Sequence, residues 1–193
     1  MLIETPEPTS TKIMNTSQID QCLNNVPHFV GTYPCNMIKK TNRRPAYYVI
    51  NTAPVTNESR PNKDGVVRGR HWVAIILREK GKNIYFDSFG MPPTNSAITA
   101  FLEKQSSRGV KYNTQMIQSY LTDVCGAYCV DFIRHFATGG SLKSYVKLFA
   151  ADVEANDVRV VDRLISFSSL PQLMSLSSEK RSYRKNQKTK SEC

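Results

Sequence analysis

Three residues that lie far apart in the chain have the chemistry of a thiol nucleophile, its base and an acid that orients the base: Cys125, His71 and Asp87. Cys125 opens an apolar stretch that we predict to be a helix from about Val124 to Phe136. Unpaired backbone N–H groups and the helix dipole favour a thiolate at a helix start. The alternative is an ordinary buried helix cysteine, so the interpretation of Cys125 depends on whether other residues agree.

The choice of base rests on position, because the chain contains only three histidines. His28 lies in a predicted loop. His135 shares the predicted helix with Cys125 but lies ten positions further on, about 15 Å along the axis, which is out of reach. His71 begins a predicted strand, 71–77, directly after a long polar loop. Strand ends next to loops commonly display catalytic groups, so we predict His71 as the base.

Asp87 can orient the imidazole only if the hairpin between the strands at 71–77 and 83–86 has an odd loop. If the connection is a three-residue loop with Gly81 in the left-handed conformation, position 87 faces position 73. Asp87 and His71 then become diagonal neighbours on one face, about 7–8 Å apart at Cα. A four-residue loop would place them on opposite faces.

A reacting carbonyl also needs hydrogen-bond donors for the negative charge that develops on its oxygen, and room for the substrate backbone. The backbone N–H of Cys125 and a side-chain amide could hold the developing oxyanion, and both Gln118 and Gln115 are candidates for that amide. Gly126 would leave room for a substrate backbone. Trp72 either packs in the core or forms a wall of the substrate groove.

The hydrophobic pattern predicts a single α+β domain. We expect a flexible leader at 1–15, the domain at 16–174 and a basic disordered tail at 175–193. Because the strand 71–77 is apolar on both faces, it should be central in the sheet. Cys129 follows Cys125 by four positions and is predicted to be core. The other predicted elements are a helix from an N-cap at Ser17 to about Asn24, strands at 46–50 and 111–117, and helices at 98–103, 144–155 and 158–167.

Composition narrows the function classes. Five cysteines, an odd number without a paired C-x-x-C, favour neither a disulfide framework nor a zinc finger and indicate a reducing compartment. The N-terminus is not a secretory signal, and no apolar run approaches the roughly 18 residues of a membrane span. We therefore expect a protein that is not secreted, has no membrane partner, and needs no metal or cofactor. Two zinc sites are disfavoured alternatives: Cys22 with Cys35 and His28, and His71 with Asp87 and Cys125.

The formal net charge of +10 favours a polyanion partner, nucleic acid in particular. One basic cluster lies at 39–44, and another, in the predicted tail, contains Lys180, Arg181, Arg184 and Lys185. The alternative is a solvated tail that aids solubility. Few aromatic residues interrupt these clusters, so stacking on bases is not predicted.

Several short motifs occur along the chain in an order that resembles a known family. They are Asn51-Thr52, His71-Trp72-Val73-Ala74, Tyr85-Phe86-Asp87-Ser88-Phe89-Gly90, and Gln118 seven positions before Cys125-Gly126. Together with the segments 17–23 and 28–33, this order resembles the adenovirus maturation protease (adenain) family, whose clan includes the proteases of ubiquitin-like proteins. The short chain and the Cys-Gly-x-Tyr-Cys helix start look closer to virophage and Polinton proteases.

The resemblance implies a central mixed sheet with the nucleophile on a packed helix, and a role for each matched residue. His71 would be the base, Asp87 the orienting acid (where adenain has Glu), Cys125 the nucleophile and Gln118 the oxyanion donor. The implied activity is a cysteine endopeptidase that cleaves capsid or other virion precursors after small residues such as glycine. The implied location is the virion and the intracellular site of virus assembly.

The resemblance also implies stimulation by DNA, which the basic charge fits. Adenain is activated by a peptide joined through a disulfide, but here no cysteine lies between Cys35 and Cys125, so we do not expect that mode. We expect a monomer. Two alternatives remain: a deconjugating protease for ubiquitin-like modifiers, and a basic nucleic-acid-binding virion protein without catalysis.

Overall fold

Five strands form one mixed sheet that carries helices on both faces. The computed structural model describes residues 14–55, 71–105 and 108–166. Its elements are α1 (Thr16–Leu23), β1 (Phe29–Pro34), β2 (Ala46–Asn51), β3 (Trp72–Leu77), β4 (Asn83–Phe86), α2 (Ser96–Gln105), β5 (Val110–Tyr112), α3 (Cys125–Ala137), α4 (Leu142–Val146) and α5 (153–166). The strand order is β1-β2-β3-β4-β5. The outer pairs β1/β2 and β4/β5 are parallel and the two inner pairs antiparallel, which confirms the predicted α+β class with a central mixed sheet.

The central strand β3 is buried on both faces, as predicted, because each face meets its own layer of helices. Side chains at 72, 74 and 76 join the core cluster that contains α1 and α3, whereas those at 73, 75 and 77 join the cluster that contains α2. Successive strand residues point to opposite faces, so a strand covered on both sides must be apolar throughout.

The strand directions bring several chain segments to one edge of the sheet. Since β3 is antiparallel to β2 and β4, its first residue lies beside the last residues of both neighbours. Helix α3 packs against β3 and begins at this same edge, where the Trp72 backbone N–H donates to the Cys125 sulfur. Residues just before β3, just after β4 and at the start of α3 therefore converge.

The β3–β4 hairpin has the predicted register. Ala74 pairs with Phe86 and Ile76 with Ile84, so position 73 lies opposite position 87. Gly81 has φ +83°, the left-handed conformation that the three-residue loop requires. The odd loop thus places residues 71 and 87 on the same side of the sheet.

The outer strands depart from the sequence analysis. Strand β1 was not predicted, and in it Gly31 (φ +140°) and a register shift between Phe29 and Gly31 interrupt the regular strand alternation. Strand β5 ends at Tyr112 rather than continuing to 117. The chain leaves the sheet there because the Asn113 side chain bonds to the backbone of Asp87.

The helix predictions need smaller corrections. Asn15, rather than Ser17, caps α1, and its side chain forms a reciprocal pair of hydrogen bonds with Gln18. The helix predicted at 144–155 is the short α4, which Ser141 caps. The helix expected at 158–167 begins earlier, at 153, and α2 is longer than predicted at both ends.

Parts of the predicted domain plan lie outside the described residues. These are most of the leader at 1–15, the tail at 175–193 and the end of the domain beyond 166. The basic residues Lys180, Arg181, Arg184 and Lys185 are among them. Within the described ranges, no helix has the length and apolar character needed to cross a bilayer.

Candidate active site

His71 and Asp87 form a direct pair at the shared sheet edge. The His71 Nε2 atom lies 2.8 Å from Asp87 Oδ1. The same carboxylate oxygen accepts the backbone N–H of Phe89 at 2.8 Å, which fixes the orientation of the carboxylate. Asp87 is buried, so its contact with the imidazole is shielded from water.

Cys125 completes the group of three. It is the first residue of α3 and is 5% exposed. The Trp72 backbone N–H donates to its Sγ atom at 3.4 Å, and the Cys125 side chain is near enough to the His71 ring to help raise the pKa of the imidazole. Because Nε2 contacts Asp87, Nδ1 is the ring nitrogen left to interact with the sulfur. The imidazole thus lies between a carboxylate and a thiol.

The environment of His71 favours its protonated form. Burial lowers the pKa of the imidazole, but the hydrogen bonds and charges of Asp87 and Cys125 together outweigh burial and raise the pKa from 6.5 to about 9. At neutral pH the ring is therefore an imidazolium, positioned to stabilise a thiolate and to donate a proton.

Asn113 holds the segment that carries Asp87, a role that sequence reasoning missed. Its Oδ1 accepts the Asp87 backbone N–H at 3.1 Å, and its Nδ2 donates to the Asp87 carbonyl at 2.6 Å. One side chain thus satisfies both backbone groups of Asp87 where the β4–β5 ladder has ended. No sequence signal marks Asn113, because the pattern of 111–117 predicts an uninterrupted strand.

Gln118, rather than Gln115, enters the buried network around the site. Its side chain is fully buried, whereas Gln115 is exposed. The Ser88 hydroxyl donates to Gln118 Oε1 at 2.6 Å, and Gln118 Nε2 donates to the Thr122 carbonyl at 2.9 Å. With the amide oxygen taken by Ser88, the orientation of the amide is fixed, and its donor side has one hydrogen beyond the one given to Thr122.

The structure gives Trp72 and Gly126 packing contacts. Trp72 is buried in the core and its indole N–H donates to the Met14 carbonyl. The space beside Gly126 is filled: an added Cβ would lie 3.0 Å from Met14 Cβ and 3.4 Å from both Ile19 and Trp72. The protein itself thus fills the space that was predicted to admit a substrate at Gly126. Trp72 packs in the core, which was one of its two predicted roles.

A row of aromatic rings leads from His71 to the surface. Phe89 stacks on His71 with ring centroids 4.7 Å apart, and Tyr120 stacks on Phe89 at 4.8 Å. Tyr120 is 69% exposed and its neighbour Leu121 87% exposed. An exposed apolar patch on the loop between Gln118 and Cys125 is therefore separated from the imidazole by the Phe89 ring.

Gly90 provides a stability test of how the loops around the site fit together. Its φ is +73°, and an added Cβ would lie 2.8–2.9 Å from backbone atoms of Gln115 and Met116. We expect Gly90→Ala to lower the free energy of unfolding by more than about 2 kcal/mol, since backbone strain and a clash with backbone add together. Urea unfolding measures this loss.

Gly109→Ala is the matched control for Gly90→Ala. Gly109 has nearly the same φ, +77°, but an added Cβ would meet nothing within 4 Å. Its loss should be limited to about 1 kcal/mol of conformational strain. Equal losses for the two variants would contradict the close backbone approach at Gly90.

Among the described residues, the other two histidines and Cys129 have their own packing and hydrogen-bond contacts. His28 has φ +68° and packs edge-on to Tyr47, and the His135 ring bonds to the Ser144 hydroxyl. Cys129 is fully buried in the core, as predicted. Among the residues that the structure describes, no cluster of three or more His, Cys, Asp or Glu side chains is placed to hold a metal ion.

The family of the chain follows from a match over most of its length. Residues 4–166 match the family described as "Ulp1 protease family, C-terminal catalytic domain". The chain belongs to the Ulp1 protease family. This is a family of cysteine peptidases, so the chain carries a cysteine peptidase domain. The mixed sheet and helices described above form the fold of that domain. No curated protein matches this Ulp1-family sequence.

Several solved structures are similar to this Ulp1-family chain. ChlaDub1 from Chlamydia trachomatis is 19% identical with a TM-score of 0.46, and covers 63% of this chain and 58% of its own. The ASFV pS273R protease is 18% identical with a TM-score of 0.48, with 78% and 67% covered. The Chlamydia trachomatis effector protein Cdu1, solved bound to ubiquitin, is 19% identical with a TM-score of 0.49, with 66% and 62% covered. The chain thus spans about three fifths to two thirds of the length of these structures.

Proposed function

We propose that this protein is a cysteine endopeptidase that cleaves capsid or other virion precursor proteins after small residues, with Cys125 as nucleophile, His71 as base and acid, and Asp87 as the group that orients the imidazole. The observation that carries the proposal is the contact of one imidazole with both a buried carboxylate, at 2.8 Å, and the thiol at the start of α3. Such an arrangement is what activation of a thiol nucleophile requires.

In the first half of the reaction, the Cys125 thiolate attacks the carbonyl carbon of the scissile peptide bond and a C–S bond forms. The negative charge moves to the carbonyl oxygen, where the Cys125 backbone N–H and the Gln118 amide can donate to it. The C–N bond then breaks as the His71 imidazolium gives its proton to the leaving amine. The products are a thioester on Cys125 and a free amine.

In the second half, water hydrolyses the thioester. His71, now neutral, accepts a proton from the water as its oxygen attacks the thioester carbonyl. The C–S bond breaks, the acid product leaves, and the thiolate and imidazolium are restored. Asp87 keeps the ring orientation constant throughout, because Phe89 and Asn113 hold it in place.

The substrate class rests on the resemblance to adenain-like and virophage proteases, which mature virion proteins, and on the net charge of +10, which suits a place beside packaged nucleic acid. The exposed Tyr120, which stacks on Phe89, and its exposed neighbour Leu121 offer apolar contact to an extended polypeptide. We propose the virion and the intracellular assembly site as the location.

Mapping of cleavage sites tests the substrate class. Purified protein is incubated with candidate capsid precursors and, separately, with conjugates of ubiquitin-like modifiers, and the new termini are sequenced by mass spectrometry. We expect cuts within the precursors that follow glycine or another small residue. Cleavage of the conjugates alone would overturn the virion assignment, and cleavage of neither by a folded protein would overturn the proposed activity.

A deconjugating protease for ubiquitin-like modifiers is the second candidate. The match to the Ulp1 protease family over residues 4–166 fits this candidate as well as the first, since the family description does not separate maturation from deconjugation. The two candidates share the chemistry of Cys125 and His71 and differ only in substrate. The same panel therefore decides between them.

We also propose that DNA binds this protein and raises its activity, through the basic clusters at 39–44 and at Lys180, Arg181, Arg184 and Lys185. Phosphate contacts of this kind weaken steeply with salt. DNA added at low salt should increase kcat/KM, and deletion of residues 175–193 should reduce that increase. If DNA has no effect at low salt, this proposal is wrong.

A further inference from the structure

Asp157 is a buried carboxylate outside the group of three described above, yet it contacts both the loop between Gln118 and Cys125 and the helix that begins at Cys125. It lies on α5, is 3% exposed, and is more than thirty positions beyond that loop in the chain. A buried carboxylate needs several hydrogen bonds to offset the loss of its hydration. The partners of Asp157 show what it holds in place.

One carboxylate oxygen binds the loop. Asp157 Oδ2 accepts the Thr122 hydroxyl at 2.6 Å and the Ser119 backbone N–H at 3.2 Å. Thr122 is the residue whose carbonyl accepts the Gln118 Nε2 donor at 2.9 Å. Asp157 therefore fixes the residue on which the Gln118 amide rests.

The other oxygen binds the nucleophile helix. Asp157 Oδ1 accepts the Tyr128 hydroxyl at 2.8 Å, and Tyr128 lies three positions after Cys125 on α3. Burial, together with the hydrogen bond to Asp157, raises the pKa of Tyr128, so the phenol stays protonated and donates. The carboxylate thus links the Gln118 loop to the helix that carries the sulfur.

We propose that Asp157 is a positioning residue, which acts through Thr122 to hold the Gln118 amide at the place where the oxyanion develops. This inference deepens the proposed function and depends on it, because it assigns Asp157 to the same reaction. An oxyanion donor is effective only when its orientation is fixed before the reaction, and loss of one donor costs about 10²- to 10³-fold in kcat. Loss of its support should cost less, about tenfold.

The test uses variants that change single acceptors or donors with little change in shape. Asp157→Asn removes one carboxylate acceptor, Thr122→Val removes the hydroxyl, and Thr122→Ser keeps it. Each is made in the wild-type chain and in Gln118→Ala. The readouts are kcat and KM for a fluorogenic peptide with glycine before the cut, the rate of Cys125 alkylation by iodoacetamide, and the urea midpoint.

We expect Asp157→Asn and Thr122→Val to lower kcat about tenfold, with KM within about twofold and the alkylation rate unchanged, while Thr122→Ser stays near wild type. In the Gln118→Ala background neither change should lower kcat further, because the amide they support is gone. Effects that multiply with Gln118→Ala, or a parallel loss of alkylation, would overturn the positioning role. If Asp157→Asn does not fold, Thr122→Val alone decides.

The same data separate this inference from the proposed function. If wild type cleaves the peptide and Cys125→Ala does not, the proposed chemistry stands whatever Asp157 does. If wild type and Cys125→Ala behave alike, the proposed function fails first, and the inference fails with it.

Discussion

Replacement of Cys125 by alanine should abolish peptide hydrolysis, with kcat/KM falling on the order of 10⁵-fold. The alanine cannot form the thioester, and neither the His71–Asp87 pair nor the oxyanion donors can replace a missing nucleophile. The fold should persist, since removing one sulfur from a core of this size costs about 1 kcal/mol. Hydrolysis of a fluorogenic peptide and covalent labelling by a peptide with a thiol-reactive warhead measure the effect.

Cys22→Ser is the control for Cys125→Ala. Cys22 is a free, partly buried cysteine on α1 whose described contact is through its backbone carbonyl to Arg134. Its replacement should leave both hydrolysis and labelling intact. Labelling that survives Cys125→Ala but disappears with Cys22→Ser would identify Cys22 as the reactive thiol and contradict the role of Cys125.

Replacement of His71 by alanine should lower kcat/KM by about 10²- to 10⁴-fold, the contribution of a positioned acid–base group. The variant loses the imidazolium that stabilises the thiolate and the proton that the leaving amine requires. His135→Ala is the matched control, because that ring interacts with Ser141 and Ser144 and lies at the far end of α3. Comparable losses for the two histidine variants would contradict the assigned role of His71.

The pH profile should carry the signature of the same imidazole. Since the pKa of His71 is raised to about 9, the acid form is present at neutral pH and is lost as the pH rises through about 9. The kcat/KM of wild type should therefore fall above about pH 9. In Asp87→Asn that fall should begin at lower pH, because the hydrogen bond and the negative charge that raise the pKa are removed.

The sequence predicted the parts of the site that leave local signals. Gly81 marked the three-residue loop, and the register of the β3–β4 hairpin followed from it, with His71 and Asp87 on one side of the sheet. The apolar stripe after Cys125 predicted α3 to within one residue at each end. Such signals are periodic or depend on a special backbone conformation, so they can be read from neighbouring residues alone.

The supports of the site could not be predicted, because they are polar residues in loops that meet partners far along the chain. Asn113 forms hydrogen bonds with Asp87, which lies 26 positions away in the sequence, and Asp157 forms one with Thr122, which lies 35 positions away. Neither residue repeats with a helical or strand period, and each would also suit an exposed turn. The end of β5 was predicted wrongly for the same reason, since the side chain of Asn113 takes the place of the backbone hydrogen bonds between β4 and β5 there.

The protonation of His71 shows whether one imidazole interacts with both the carboxylate and the sulfur. The chain has three histidines, so a ¹⁵N-imidazole NMR titration can follow each ring, with His71→Ala assigning the signal. We expect a midpoint near pH 9 for His71 in wild type and a lower midpoint in Cys125→Ala, where the interactions with the sulfur are missing. A midpoint near the ordinary value of 6.5 that does not respond to loss of Cys125 would contradict this expectation.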